Sequence, residues 1–333
     1  MSKVLHTATE VAELIKSGKT LALAGDQSVL AKLPRGSWIG GTTPYFIGDA
    51  GGTCSRDLIH VTDMPPGTRE VRIARYDAHT IDRVYEDGAT ADFSLIMIPA
   101  QSATHLRFAL HAPSFSRFAH RPLIGWITGL HLDDLVRGAA QIIDGQSGDQ
   151  MADGALVMHV RLPDTQVAEL DIVNIFETGD GPEVQFARDG FEAREAVVGG
   201  ETVNLARWLD AQKADTRLPL VANYLGTNVN VSFQSVDPVE GVVRFYAPVF
   251  AGVPYHHAKP VGDYVSQFSQ RIPSADGRIA FSCNCILNYV HSHLQGKRTG
   301  NFSGPITFGE VAYQLLNQTM AYLTISDRSG SAQ

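Results

Sequence analysis

The segment that decides the fold opens with Ile279-Ala280-Phe281-Ser282-Cys283-Asn284-Cys285. It continues through Gly304-Pro305-Ile306-Thr307-Phe308-Gly309-Glu310 and closes with Asn317-Gln318-Thr319-Met320. Alternating apolar and polar residues predict a strand at its start. A polar loop carrying His291 and His293 follows, then a second strand running into Gly309 and Glu310, then a last strand reaching Ile325. Polar groups packed this densely between strand patterns are what a small-molecule site contains.

Outward from that segment, the chain has 333 residues, 44% of them hydrophobic and 19% charged. A full core is therefore expected. The formal net charge is −8 and there is no basic block, which argues against a nucleic-acid partner. No apolar run reaches the roughly 20 residues of a membrane span. Met1–His6 lacks a signal-peptide core, so a cytoplasmic location is expected. Three cysteines, an odd number, do not form a disulfide framework.

At the other end, Thr7-Ala8-Thr9-Glu10 has capping-box spacing, and Val11, Leu14 and Ile15 continue it as a helix closed by Gly18. Further strands are predicted at Thr20–Ala24, Val71–Tyr76, Phe93–Ile98 and Leu123–Gly129, and helices at Ser102–Leu110 and Glu201–Lys213. Ala155–Arg161 and Ala168–Phe176 read as a hairpin, with Val184–Phe186 beside it. Neither a G-x-G-x-x-G fingerprint nor a P-loop follows any strand, and no cofactor is expected. The pattern predicts an α+β fold of two lobes, each a mixed, largely antiparallel sheet with packed helices. The lobes are placed at residues 1–188 and 189–333.

Trp38-Ile39-Gly40-Gly41-Thr42-Thr43 runs a strand straight into two glycines and two hydroxyls. It reads either as a ligand-lining loop or as a strand-end turn. Gly51-Gly52-Thr53 reads as a second turn able to act as a flap.

Taken together, the Gly40–Thr43 turn, Ser282-Cys283, Phe308-Gly309-Glu310 and Asn317-Gln318-Thr319 resemble the FIST sensory family, in its N-terminal and C-terminal parts. The resemblance spans most of residues 20–325, with its sharp motifs in the last fifty. It implies a sensory, signal-transducing module that binds a small ligand, amino acids among the candidates. Family members are often fused to an output domain. This chain leaves no room for one, so a separate signalling protein is the expected partner. The family usually carries an arginine soon after the cysteine. Here Asn284-Cys285-Ile286 follows, and the next arginine downstream is Arg298.

These residues define the candidate ligand set: Gly41, Thr42, Thr43, Cys283, Asn284, Arg298, Glu310, Asn317 and Thr319. An arginine fork suits a carboxylate and an ionised Glu310 suits an ammonium, so the ligand is expected to be an amino acid or related zwitterion. Two other readings use the same segment. Cys283 with His291 or His293, or with His256 or His257, has the residue types of a nucleophilic hydrolase or transferase. Cys283 and Cys285 with His291 and His293 have the ligand types of a structural zinc site, although the spacing is not that of a standard finger. A non-catalytic binding protein without bound metal is the favoured reading of the three.

Overall fold

The computed structural model describes residues 3–224, 227–271 and 278–328. Met1 and Ser2, and the end of a further strand that the apolar pattern of Leu218–Leu225 predicts, lie outside the described residues. The fold is α+β. The helix at Ala8–Lys16 begins with the expected capping box: the Thr7 hydroxyl accepts from the Glu10 N–H and the Glu10 carboxylate accepts from the Thr7 N–H. The second expected helix spans Ala103–His111, with the Ser102 hydroxyl capping the His105 N–H.

Three six-stranded sheets build the body. The first orders Leu5–Thr7, Leu58–Asp63, Leu21–Gly25, Trp38–Thr42, Ile142–Asp144 and Gln150–Met151. The second orders Gln314–Leu316, Glu310–Ala312, Leu123–Thr128, Phe93–Pro99, Ala155–Arg161 and Glu70–Tyr76. The third orders Gln166–Val173, Met320–Asp327, Arg278–Cys285, Gly304–Thr307, Tyr45–Gly48 and Gly51–Cys54. Most pairs are antiparallel. Leu21–Gly25 runs parallel to Trp38–Thr42, Phe93–Pro99 to Leu123–Thr128, and Arg278–Cys285 to Gly304–Thr307. A helix lies between the strands of each parallel pair, as a crossover requires. One apolar core joins the sheets, and within it Trp126 stacks on Phe281 with ring centroids 5.6 Å apart.

Strand pairing does not follow the division at 188/189. Gly304–Thr307 pairs with Tyr45–Gly48, Glu310–Ala312 with Leu123–Thr128, and Met320–Asp327 with Gln166–Val173. Both ends of the chain therefore close one body. Between them, two further sheets, of six and three strands, enclose their own core, whose members run from Val184 to Tyr255. This insert is the part of the chain that packs mainly upon itself.

Several local expectations change. Ala155–Arg161 and Gln166–Val173 do not form a hairpin; each pairs in a different sheet, because the four residues between them carry the chain from one layer to the next. Val184–Gln185 pairs inside the insert instead of beside them. The expected loop after Cys285 begins as a helix, Ile286–His291, which buries Ile286, Leu287 and Tyr289. The helix expected from Glu201 starts later, at Leu205, because Glu201–Asn204 pairs as a strand and the Asn204 side chain caps the Arg207 N–H.

Candidate functional site

Much of the C-terminal motif set converges on one buried polar cluster. Gly309 has φ 149°, a backbone conformation that favours glycine. It lets the chain leave the third sheet after Thr307 and enter the second at Glu310. Glu310 is thereby placed at 0% exposure between the layers. Thr307 Oγ1 lies 3.1 Å from its Oε1, and the Thr319 hydroxyl and N–H donate to its Oε2 at 2.8 and 3.3 Å. Burial pushes the Glu310 carboxyl up to about 8, which exceeds the opposing pull of the two threonines and Cys285. Glu310 is therefore a neutral acid at pH 7. Among the described residues it makes no salt bridge, since the cluster brings it no cation. This corrects the expectation of a carboxylate ready for an ammonium: a sealed, protonated acid cannot serve one.

The other expected ligand residues spend their polar atoms on the fold. The Thr43 hydroxyl donates to the Ile306 carbonyl at 2.7 Å, tying the glycine-rich turn to the C-terminal segment. The Thr42 hydroxyl accepts from the Gln141 N–H at 2.9 Å. A Cβ on Gly41 would stand 2.7 Å from Thr128 Cγ2 and 2.9 Å from the Trp126 ring, so this glycine makes room for packing. Asn284 accepts from Asn288 at 3.0 Å and faces the Tyr264 hydroxyl at 3.5 Å. Asn317 Oδ1 accepts from Ser232 Oγ at 2.7 Å, linking insert to body, while its Nδ2 is buried without a partner. Arg298 is exposed on its loop, and its side chain makes no ion pair or hydrogen bond among the described residues. The void against Cys283 and Asn284 measures about 10 Å³, room for no more than a water.

The cysteines fit neither alternative reading. The Cys283 thiol donates to the Gly125 carbonyl at 3.3 Å, and burial holds its pKa well above the ordinary thiol value. A nucleophile needs the opposite shift and a base in contact. Burial acts on Cys285 in the same direction. Among the described residues no group of three or more His, Cys, Asp or Glu side chains is placed to hold a metal ion.

A different feature has the character of a site. A cleft of about 290 Å³ lies where the insert meets the body. The insert side supplies Asp215, Arg217 and Leu218, and the body supplies Asp263, Tyr264, His291, His293 and Lys297. Ile175, Phe176 and Val261 complete an apolar wall, and Gln318 closes the floor. Gln318 is 2% exposed with φ 50°, and its amide spans the joint: Nε2 donates to the Arg217 carbonyl at 3.0 Å and Oε1 lies 2.6 Å from Ser232 Oγ. Arg217 holds Asp215 through two bonds of 2.8 and 2.7 Å, which lowers the Asp215 pKa. Asp263 caps Ser266 at the start of the helix Tyr264–Arg271, and its pKa is lowered by those bonds and, to a smaller degree, by Lys297. Burial, followed by the nearby Arg217 charge, lowers the pKa of His291.

Lys297 owes its position to the Gly51-Gly52 turn. Gly52 N donates to the Lys297 carbonyl at 3.0 Å, and Gly296 N donates to the Gly52 carbonyl at 2.8 Å. A Cβ on Gly52 would stand 2.2 Å from the Leu294 carbonyl oxygen. The turn expected to act as a flap is therefore clamped to the loop it touches.

Sequence reading identified His291, His293 and the neighbours of Gln318, but not Asp215, Arg217, Asp263 or Lys297. The cleft draws on five separate segments, so no local motif marks it. A second missed feature is a buried relay. Ser94 Oγ lies 2.8 Å from His159 Nδ1, His159 Nε2 lies 3.0 Å from Tyr76 Oη, and Tyr76 donates to Asp87 at 3.1 Å. With Tyr76 donating to Asp87, His159 carries its proton on Nε2 and accepts from Ser94. Ser94 and His159 are 3% and 4% exposed, and the relay locks three strands together.

Fold and cleft define the class: an α+β protein with a β insert and a polar cleft of both charge signs at the joint. The chain belongs to a family of unknown function, DUF6976, whose model matches residues 6–326. No curated protein matches it. Among the described residues no helix is long and apolar enough to cross a membrane.

Proposed function

We propose that this chain is a sensory protein that binds a small molecule without turning it over, and that the ligand is an amino acid or related zwitterion seated in the cleft between insert and body. The observation that carries the reading is the cleft's lining. Arg217 and Lys297 stand with Asp215 and Asp263 around about 290 Å³, against the apolar wall of Ile175, Phe176 and Val261. A carboxylate suits the guanidinium and ammonium, and an ammonium suits the two aspartates, both ionised at neutral pH. The volume lies at the small end of ligand sites. Binding across a joint gives the ligand a mechanical consequence, because it favours the arrangement of insert and body that it bridges. That is the property a sensor needs, and it accords with the resemblance to the FIST family. The readout passes to a separate signalling protein in the cytoplasm.

A thermal-shift screen of amino acids and related zwitterions tests the reading. Ligand at a hundredfold excess over Kd stabilises the folded state by about 2.7 kcal/mol, a shift of several degrees. Lys297→Ala and Asp263→Asn are expected to abolish the shift, and Arg298→Ala to leave it. No shift with any zwitterion, or one that survives both cleft substitutions, would overturn the proposal.

A further inference from the structure

The cleft at the joint is lined by more basic than acidic side chains, and the surplus sits on one turn. Arg217, His291, His293 and Lys297 stand there against the carboxylates of Asp215 and Asp263. Both carboxylates already have donors: Asp215 takes the Arg217 guanidinium, and Asp263 takes the Ser266 N–H and hydroxyl. His291 is the last residue of the helix Ile286–His291, and His293 follows in the left-handed region at φ 51°. The Leu294 N–H donates to the Tyr289 carbonyl at 3.0 Å and the Leu294 side chain is buried, which fixes the turn. The Lys297 ammonium donates to the Ser292 carbonyl at 3.2 Å, so it is held beside the two imidazoles. The basic groups of one short turn therefore border the cavity.

A zwitterion's single carboxylate suits Arg217 and Lys297 and leaves the two imidazoles without an anion. We propose that the ligand of the cleft carries a second oxyanion, a carboxylate or phosphate on its side chain, held by His291 and His293, and that His291 takes up a proton as it binds. The inference rests on the zwitterion reading of the cleft and names the class of zwitterion. The charged and titratable groups around His291 are Arg217 and Asp215 from the insert, Asp263 and Tyr264 from the start of the helix Tyr264–Arg271, and His293 and Lys297 from its own turn. Burial first, then the Arg217 charge, holds the imidazole below its ordinary pKa, with Asp215 opposing. An oxyanion against the ring reverses that balance, because an opposite charge favours the protonated form. The two aspartates are already ionised, and burial raises the Tyr264 phenol further above neutrality. His291 is thus the buried-side group whose charge the ligand can change near neutral pH.

Calorimetry of the full chain with glutamate, O-phosphoserine and glutamine at pH 6, 7 and 8 tests the inference. Glutamine has the shape of glutamate without its side-chain charge, and that charge is constant across the range. At pH 6 at least one acidic probe is expected to bind about tenfold or more tightly than glutamine, with the advantage shrinking toward pH 8. Titrations in two buffers of different ionisation enthalpy should show proton uptake that His291→Gln removes. His293→Asn, at an exposed position where asparagine tolerates the left-handed backbone, should narrow the gap between acidic and neutral probes while sparing the fold. An advantage for glutamate alone assigns a carboxylate, and for phosphoserine alone a phosphate. Glutamine binding as tightly as both acidic probes, an advantage untouched by either substitution, or proton uptake undiminished in His291→Gln would overturn this inference and leave the zwitterion reading standing. Failure of all three probes to bind also overturns it, and the zwitterion reading falls with it only when the wider screen is blank as well.

Discussion

Replacing Glu310 with glutamine should remove a pH dependence that the wild-type fold carries. The folded carboxyl has its pKa at about 8 against an ordinary value of 4.5, and it is fully buried. Between those values the folded chain holds a proton that the unfolded chain releases. Stability from the neutral acid is complete below about 4.5 and falls as pH rises toward 8, by about 1.4 kcal/mol per pH unit. Over the whole window the loss is roughly 5 kcal/mol as an order of magnitude. The buried histidines His60, His105 and His159, each lowered to about 4, act in the opposite sense. Their stability is present above about 6.5 and is lost as pH falls toward 4, so they shape the acid limb only. Glutamine imitates the neutral acid: its amide can donate to Thr307 while its oxygen accepts from Thr319. Urea unfolding at pH 5, 6, 7 and 8 reads the difference between the two chains. The wild type should lose ground to Glu310→Gln with each step up. Parallel stability curves across that range would refute the reasoning, since the carboxyl would then titrate alike in both states.

Three further outcomes follow from the geometry. Gly41→Ala places a methyl 2.7 Å from Thr128 Cγ2 and should cost about 1–3 kcal/mol, read as a lower urea midpoint. Ser94→Ala leaves His159 Nδ1 with no donor and should cost about 1–3 kcal/mol, whereas a neutral result would mean that the relay carries no net stability. A disulfide reagent should reach half-buried Cys54 in the native protein and reach Cys283 and Cys285 only after denaturant is added. Rapid native labelling of either buried thiol would contradict their packing.

The parts of the fold legible in sequence are those set by neighbours along the chain. Thr7 and Glu10 specify a helix start through contacts three residues apart, and the alternation at Ile279–Cys285 specifies a strand. Pairing partners are set by the whole core, which is why Ala155–Arg161 and Gln166–Val173 read as a hairpin and yet lie in different sheets. Helix Ile286–His291 spans fewer than two turns, too short for its period to stand out among polar residues. At the site, Phe308-Gly309-Glu310 and Asn317-Gln318-Thr319 were visible as unusual, and they do meet around Glu310 and the joint. Their roles were not visible, because whether a carboxylate is sealed or open depends on layers that only the folded chain brings together. The same holds for the cleft, where Arg217 and Lys297 stand eighty residues apart in sequence.

The central claim is that ligand binds at the joint between insert and body. A crystal structure of the protein grown with the zwitterion that most raises its melting temperature tests this most directly. The account predicts ligand density in the cleft, with the carboxylate against Arg217 and Lys297 and the ammonium against Asp215 or Asp263. Density instead beside Cys283 and Asn284, where the chain leaves about 10 Å³, would contradict it.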